Sequence, residues 1–143
     1  MDRFIEANAV FSIFCSSYTA LKKELPIRPS EMGVLNIIVL RDGRFTPLML
    51  AELLEVSKPM VTAHITVLER KGYIQKEYSQ EDRRSFFVRP TDKARELVKT
   101  TAEKMERFLR QLEESLGSEQ FDHLVKTVAE TNTILKQTKE EAK

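Results

Sequence analysis

The side chains with the clearest chemical potential in this 143-residue chain are the cations and hydroxyls at residues 57–70. With about 3.6 residues per helical turn, Val61, Ile65 and Leu68 form one apolar side of a helix. The opposite side carries Lys58, Thr62, Ala63, Thr66 and Arg70. Lysine and arginine suit phosphate or guanine acceptors, while threonine can donate or accept at a base edge and offers a methyl group to thymine. The pattern therefore predicts a helix suited to the major groove of DNA.

A second charged group, Asp82-Arg83-Arg84, lies between two runs of aromatic and β-branched residues at 73–78 and 86–89. Such runs around a polar segment predict a two-stranded hairpin with a charged tip. An arginine at the tip could enter a minor groove, where narrow A·T-rich DNA concentrates negative potential. Asp82 could hold one arginine in place through a bidentate pair. The alternative is an ordinary turn with exposed charges.

The helices that position these groups begin with two elements near the start of the chain. Apolar residues at steps of three and four over 4–25 predict a long first helix, which Pro26 and Pro29 end. Ser30 is expected to cap a second helix that stops near Gly43.

Two short helices then follow in close succession. A Thr-Pro pair at Thr46 predicts a third helix to about Val56. Ser57, with a proline two residues later, repeats this signal for a fourth helix that ends at Gly72. Two short helices followed by a hairpin form the arrangement that places a helix in the major groove beside a wing.

Two long helices complete the chain, a fifth capped by Pro90-Thr91-Asp92 and a sixth after Gly117-Ser118. A helix over 91–116 would span roughly 39 Å, whereas a compact globule of this size has a radius of gyration of about 14 Å. The long helices therefore cannot all pack on one small core. Burial of their apolar stripes against a second copy predicts a homodimer. The alternative is a monomeric bundle with splayed ends.

Composition and spacing argue against most catalytic classes. The single cysteine allows no internal disulfide and no cysteine-based zinc site, and the four glycines are too scattered for a phosphate-binding loop. His64 and His123 form no helical metal pair. Neither serine nor cysteine stands in a nucleophile elbow. We predict that the protein is not an enzyme and binds no metal and no cofactor.

The net charge is distributed unevenly along the chain. Residues 57–90 carry seven basic and four acidic side chains, a net charge of +3, whereas the rest of the chain has a net charge of −2. The basic charge is thus concentrated on the predicted DNA-binding segment.

The apolar stretch at 9–15 is too short to span a bilayer, and the start of the chain does not resemble a secretory leader. We therefore expect a cytoplasmic protein with no membrane partner.

Several of these motifs agree in order and spacing with one known family. They are Ser57-Lys58-Pro59-Met60-Val61-Thr62, Leu68-Glu69-Arg70-Lys71-Gly72-Tyr73-Ile74, Asp82-Arg83-Arg84 and Val88-Arg89-Pro90-Thr91. Together they resemble the winged helix-turn-helix signature of the MarR family of transcriptional regulators. The resemblance implies a mainly α fold with a small β-hairpin wing. It also implies long N- and C-terminal dimerisation helices at 1–28 and 92–143, and a DNA-binding lobe at 30–91.

The resemblance further implies a homodimeric repressor that reads a pseudo-palindromic operator in double-stranded DNA. The helix at 57–72 would enter the major groove and the wing at 79–86 the minor groove. The residues carried over to the major groove are Ser57, Lys58, Pro59, Thr62, Ala63 and Thr66. Arg84, with Arg83, would make the minor-groove contact.

This chain departs from the family pattern at three positions of the fourth helix. Family members often carry threonine where Met60 stands, and arginines where Ala63 and Val67 stand. The absence of the two arginines is expected to weaken the contacts of the helix with the DNA backbone. Operator recognition is therefore expected to rely more on the wing.

An effector is also implied by the resemblance. A small aromatic or phenolic compound would release DNA by fixing a different spacing between the two lobes, with Phe11, Phe14 and Tyr18 as candidate lining residues. The same residues are equally well explained as dimer core. Cys15 lies beside them, so a thiol-based redox sensor is one alternative, although a buried cysteine that only packs is more common. Another alternative is a helical protein-interaction module with a degenerate winged lobe.

Overall fold

A computed structural model describes residues 2–22, 24–41 and 43–142 and shows, among them, six α-helices and two β-strands. The elements are α1 (Arg3–Ala20), α2 (Pro29–Leu40), α3 (Pro47–Leu54), α4 (Lys58–Arg70), β1 (Ile74–Tyr78), β2 (Phe86–Pro90), α5 (Asp92–Leu116) and α6 (Ser118–Glu141). The strands form one antiparallel hairpin. This confirms the predicted fold class, a mainly α winged helix-turn-helix with long terminal helices. The chain forms two compact units, 1–101 and 102–143, with the boundary inside α5.

The starts of the two short helices follow from local hydrogen bonds. The Thr46 hydroxyl accepts from the backbone N–H of Met49 at 3.3 Å, and the Ser57 hydroxyl accepts from that of Met60, also at 3.3 Å. Each helix has a proline in its first turn, where no hydrogen-bonding amide is needed. Both starts agree with the sequence prediction, because capping depends only on residues within one turn.

The boundaries of the first two helices differ from the prediction. Helix α1 ends at Ala20 rather than near Leu25, because the following segment turns inward to bury Ile27 in the core. Helix α2 begins at Pro29 rather than after Ser30. The buried side chain of Glu31, in the first turn of the helix, accepts a hydrogen bond from the backbone N–H of Arg28 at 2.9 Å. This contact caps the N-terminus of α2 at Arg28. Helix α2 also ends at Leu40, before Gly43.

One hydrophobic core fixes α4 and the hairpin within the first unit. Its largest fully buried side chains are Val34, Leu35, Ile38, Leu50, Val61, Ile65, Leu68, Ile74 and Val88. The strand register runs from Ile74 opposite Pro90 to Tyr78 opposite Phe86. Only one side of α4 therefore packs against the core.

The turn after α4 is fastened to the start of α5. The Thr91 hydroxyl donates to the carbonyl oxygen of Gly72 at 2.7 Å and accepts from the backbone N–H of Ala94 at 3.3 Å. The Lys93 ammonium donates to the carbonyl oxygen of Lys71 at 2.6 Å. The first turn of α5 is thus joined by polar contacts to the end of α4.

The remaining helices expose large apolar side chains. In the first unit, α1 has no buried residue and exposes Phe4, Ile5, Val10, Phe11, Ile13 and Phe14. In the second unit, α6 has no buried residue and exposes Leu124, Val125, Val128, Ile134 and Leu135. Within the described ranges, none of the helices combines the length and apolarity needed to cross a membrane. The predicted dimerisation region also includes residues 1, 23 and 143, which lie outside the described residues.

Candidate nucleic-acid interface

Helix α4 has a buried side and an exposed side. Val61, Ile65 and Leu68 are at most 1% exposed, so they anchor the helix in the core. The residues assigned to DNA contact from the sequence are all exposed: Ser57, Lys58, Pro59, Thr62, Ala63, Thr66 and Arg70. The helix therefore presents them together on the surface of the first unit.

The centre of that exposed side is a stripe of four residues, Pro59, Ala63, Thr66 and Arg70. Their spacing of four, three and four places them on one side of an α-helix. The hydroxyl of Thr66 donates a hydrogen bond to the carbonyl oxygen of Thr62 at 3.0 Å. Because its one proton is used inside the helix in this conformation, Thr66 does not present it to a base edge, a contact that the sequence had suggested. It retains an acceptor lone pair and its methyl group.

The hairpin tip is ordered by Asp82 through backbone contacts. Its carboxylate accepts from the backbone N–H of Arg84 at 3.0 Å and from the Ser85 hydroxyl at 3.4 Å. Its carbonyl oxygen accepts from the backbone N–H of Ser85 at 3.0 Å. The bidentate pair with an arginine side chain, predicted from the sequence, is not formed. The backbone amide two residues ahead is within reach of a short side chain, whereas an exposed arginine would lose side-chain entropy on folding back.

Several cations near the wing are already paired. Glu77 lies between Arg89, at 3.3 Å, and Arg44, at 3.7 Å. Lys76 lies 3.6 Å from Glu69, and its ammonium is 4.9 Å from the centre of the Phe86 ring. Arg44 was missed by the sequence reasoning, because only the fold brings residues 44 and 77 together.

These pairs leave a smaller set of basic side chains without a partner in the described part of the chain. Lys71 donates to the carbonyl oxygen of Pro26 at 3.1 Å. The side chains of four of the basic residues at 57–90 form no hydrogen bond, ion pair or ring contact with any described residue: Lys58, Arg70, Arg83 and Arg84. These four side chains are exposed and lie at the two ends of α4 and at the hairpin tip.

The residues suggested for an effector lie on α1. The rings of Phe14 and Tyr18 stack with centroids 5.8 Å apart, and Phe11 and Phe14 are 66% and 49% exposed. A cavity of about 350 Å³ lies near the end of α1, and Thr19 and Lys22 are among its lining residues. None of the three aromatic residues lines it. Cys15 is exposed in the single copy rather than buried.

The two histidines are separated in the structure. His64 is half-buried on α4, whereas His123 is exposed in the second unit. Within the described part of the chain, no three metal-ligating residues come together.

Known proteins are similar to this chain in sequence and in fold. Residues 25–85 match the model of the MarR family. The uncharacterised HTH-type transcriptional regulator YdgJ of Bacillus subtilis (strain 168) is 30% identical over 74 residues, which are 52% of this chain and 45% of that protein. The match thus spans less than half the length of that relative.

Solved structures are similar over nearly the whole chain. FabT of Streptococcus pneumoniae, in a complex with DNA, has a TM-score of 0.77 at 22% identity and covers 95% of this chain and 99% of that one. MepR, a transcription regulator of the Staphylococcus aureus multidrug efflux pump MepA, has a TM-score of 0.72 at 15% identity and covers 94% and 99%. The chain is therefore a winged helix-turn-helix protein. Residues 25–85 match the model of the MarR family, in agreement with the resemblance indicated by the sequence motifs.

Proposed function

We propose that this protein is a sequence-specific DNA-binding transcriptional regulator that represses genes as a homodimer on a pseudo-palindromic operator. The observation that carries the proposal is the exposed side of α4, flanked on that helix and on the wing by cations that have no partner among the described residues. The match of residues 25–85 to the MarR family model and the similarity in fold to FabT, solved with DNA, support it. This role requires no cofactor and no catalysis, and it places the protein in the cytoplasm with chromosomal DNA.

The contacts divide between two grooves. The major-groove set is Ser57, Lys58, Pro59, Thr62, Ala63, Thr66 and Arg70. Lys58 and Arg70 lie at opposite ends of α4, about 18 Å apart along its axis, and suit phosphates on either side of the groove. Arg83 and Arg84 are assigned to the minor groove, with Asp82 ordering the backbone between them and β2.

The homodimer follows from the apolar side chains that each unit exposes. Monomers rarely expose large contiguous apolar patches, and both α1 and α6 leave rows of such side chains in water. A two-fold pair would cover them and present two copies of α4 to the same face of the duplex, about 34 Å apart. In this arrangement the second copy encloses Phe11, Phe14 and Tyr18, so that a small aromatic effector bound there could change the distance between the lobes.

Binding of the purified chain to its own upstream DNA tests the proposal. We expect a dimer by light scattering and a gel shift whose affinity falls steeply as salt rises, because binding to phosphates releases counterions. Absence of binding, or binding without salt dependence, would overturn the proposal. Capture of a protein in place of DNA would then favour the alternative of an interaction module.

A further inference from the structure

The chemistry of the central stripe of α4 restricts which bases it can read. Guanine is read in the major groove chiefly by arginine or lysine and adenine by asparagine or glutamine. Residues 59–69 contain none of these four residue types. Between Lys58 and Arg70, which are proposed to contact phosphates, the helix therefore lacks the side chains that most often specify guanine or adenine. This stretch includes most of the N-terminal half, which meets bases in this class of protein.

Apart from Arg70 at its C-terminal end, the groups that the stripe presents are apolar. Pro59 has a hydrocarbon ring, Ala63 has a methyl group, and Thr66 has a methyl group beside a hydroxyl whose proton is used within the helix. All three residues are exposed. The only apolar group on a base edge in the major groove is the C5-methyl group of thymine.

We propose that α4 reads its half-site through the methyl groups of thymines, with Pro59, Ala63 and Thr66 as the specificity-determining residues. The half-sites are then rich in A·T pairs beneath these residues. This inference rests on the proposed function, since it names the class of DNA that the same helix recognises. The wing favours the same class independently, because Arg83 and Arg84 suit the narrow minor groove of A·T-rich DNA.

The first experiment selects duplexes from a random library with the full-length protein and then replaces single thymines by deoxyuridine. This replacement removes only the C5-methyl group and retains base pairing. At thymines beneath the stripe we expect about a fourfold loss of affinity for each replacement, the value of one buried methyl group. Deoxyuridine in the spacer between half-sites is the control and is expected to change nothing.

Two variants of one residue separate methyl from hydroxyl recognition. Thr66→Val keeps a methyl group at this position and removes the hydroxyl, whereas Thr66→Ser keeps the hydroxyl and its bond to Thr62 and removes the methyl. We expect Thr66→Val to bind the selected duplex like the parent. Thr66→Ser is expected to lose about fourfold in affinity and to stop distinguishing thymine from deoxyuridine at one position. Thermal unfolding of both variants checks that the fold is retained.

The outcomes distinguish this inference from the proposed function. A selected site with G·C pairs beneath the stripe, or a loss of affinity in Thr66→Val but not in Thr66→Ser, would overturn the inference and leave DNA binding intact. If no duplex is retained from the library, the proposed function fails and the inference fails with it.

Discussion

The carboxylate of Asp82 lies 3.0 Å from the backbone nitrogen of Arg84 and accepts its hydrogen bond. The contact fixes the main chain at the hairpin tip and leaves the Arg84 guanidinium exposed, with no partner among the described residues. The wing thus combines an ordered backbone with an arginine available to a ligand. Such an arrangement lowers the entropy lost on binding, because less of the loop has to be ordered.

Two substitutions at this position test the role of Asp82. Asp82→Asn keeps an oxygen acceptor for the Arg84 amide, and we expect its DNA affinity to remain near that of the parent. Asp82→Ala removes the acceptor and is expected to lower affinity severalfold, because an exposed hydrogen bond contributes about 0.5 to 1.5 kcal/mol. Fluorescence anisotropy with a labelled operator measures both. Equal loss in the two variants would point instead to a requirement for the negative charge.

Arg84 itself should carry a larger share of binding. Arg84→Ala is expected to reduce operator binding by about 1 to 3 kcal/mol, because it removes a cation from the minor groove. Dimer formation should be unchanged, since the residue lies at the wing tip. Arg110→Ala is the matched control, because Arg110 is exposed in the second unit and bonded to Glu106 at 2.7 Å. Unchanged affinity in Arg84→Ala would remove the wing from the mechanism.

The salt dependence of binding distinguishes cations that lack an acidic partner from those that have one. Lys58→Ala is expected to lower the slope of log affinity against log salt by about one for each half-site, because one phosphate contact is lost. Lys76→Ala should leave the slope nearly unchanged, since Lys76 lies 3.6 Å from Glu69. A titration of affinity against potassium chloride measures both slopes. The reverse order would contradict the assignment of Lys58 to a phosphate.

The apolar side of α1 should be required for dimerisation. Phe14→Asp is expected to weaken the dimer by roughly a hundredfold or more, because burial of a phenylalanine is lost in both copies. Ser16→Asp is the control, since Ser16 lies about half a helical turn away from Phe14. Light scattering over a range of protein concentrations measures the dissociation constant. A parent protein that is already monomeric would contradict the proposal directly.

The rate at which a thiol reagent labels Cys15 reports whether a second copy covers the surface of α1. It is the only cysteine in the sequence and is exposed in a single copy. If the second copy covers α1, a thiol reagent should label the parent more slowly than Phe14→Asp, where the helix is uncovered. We expect peroxide to leave DNA binding unchanged. Peroxide-triggered release that Cys15→Ser abolishes would instead establish the redox-sensing alternative.

The sequence predicted those parts of the fold that depend on neighbouring residues. The caps at Thr46 and Ser57 and the two sides of α4 follow from spacing within a few turns. The end of α1 was predicted wrongly, because it depends on burial of Ile27 among residues distant in sequence. The spacing of apolar residues along the sequence does not show where the chain leaves a helix to enter the core.

The candidate site was predictable in composition but not in its hydrogen bonding. Residue types indicated which side chains could meet DNA, and the structure leaves them exposed. The sequence could not show that the proton of Thr66 is used within the helix or that Glu77 pairs with Arg44. These two facts depend on a side-chain rotamer and on a contact between distant segments, and they decide which groups remain available for recognition.

The polar contacts of Thr91 and Lys93 have a mechanical consequence. They join the first turn of α5 to the turn that follows α4. A displacement of the start of α5 therefore has to move the end of α4 with it or break these hydrogen bonds. A ligand that shifted the start of α5 would in this way reorient α4 without contacting any of the residues proposed to meet DNA.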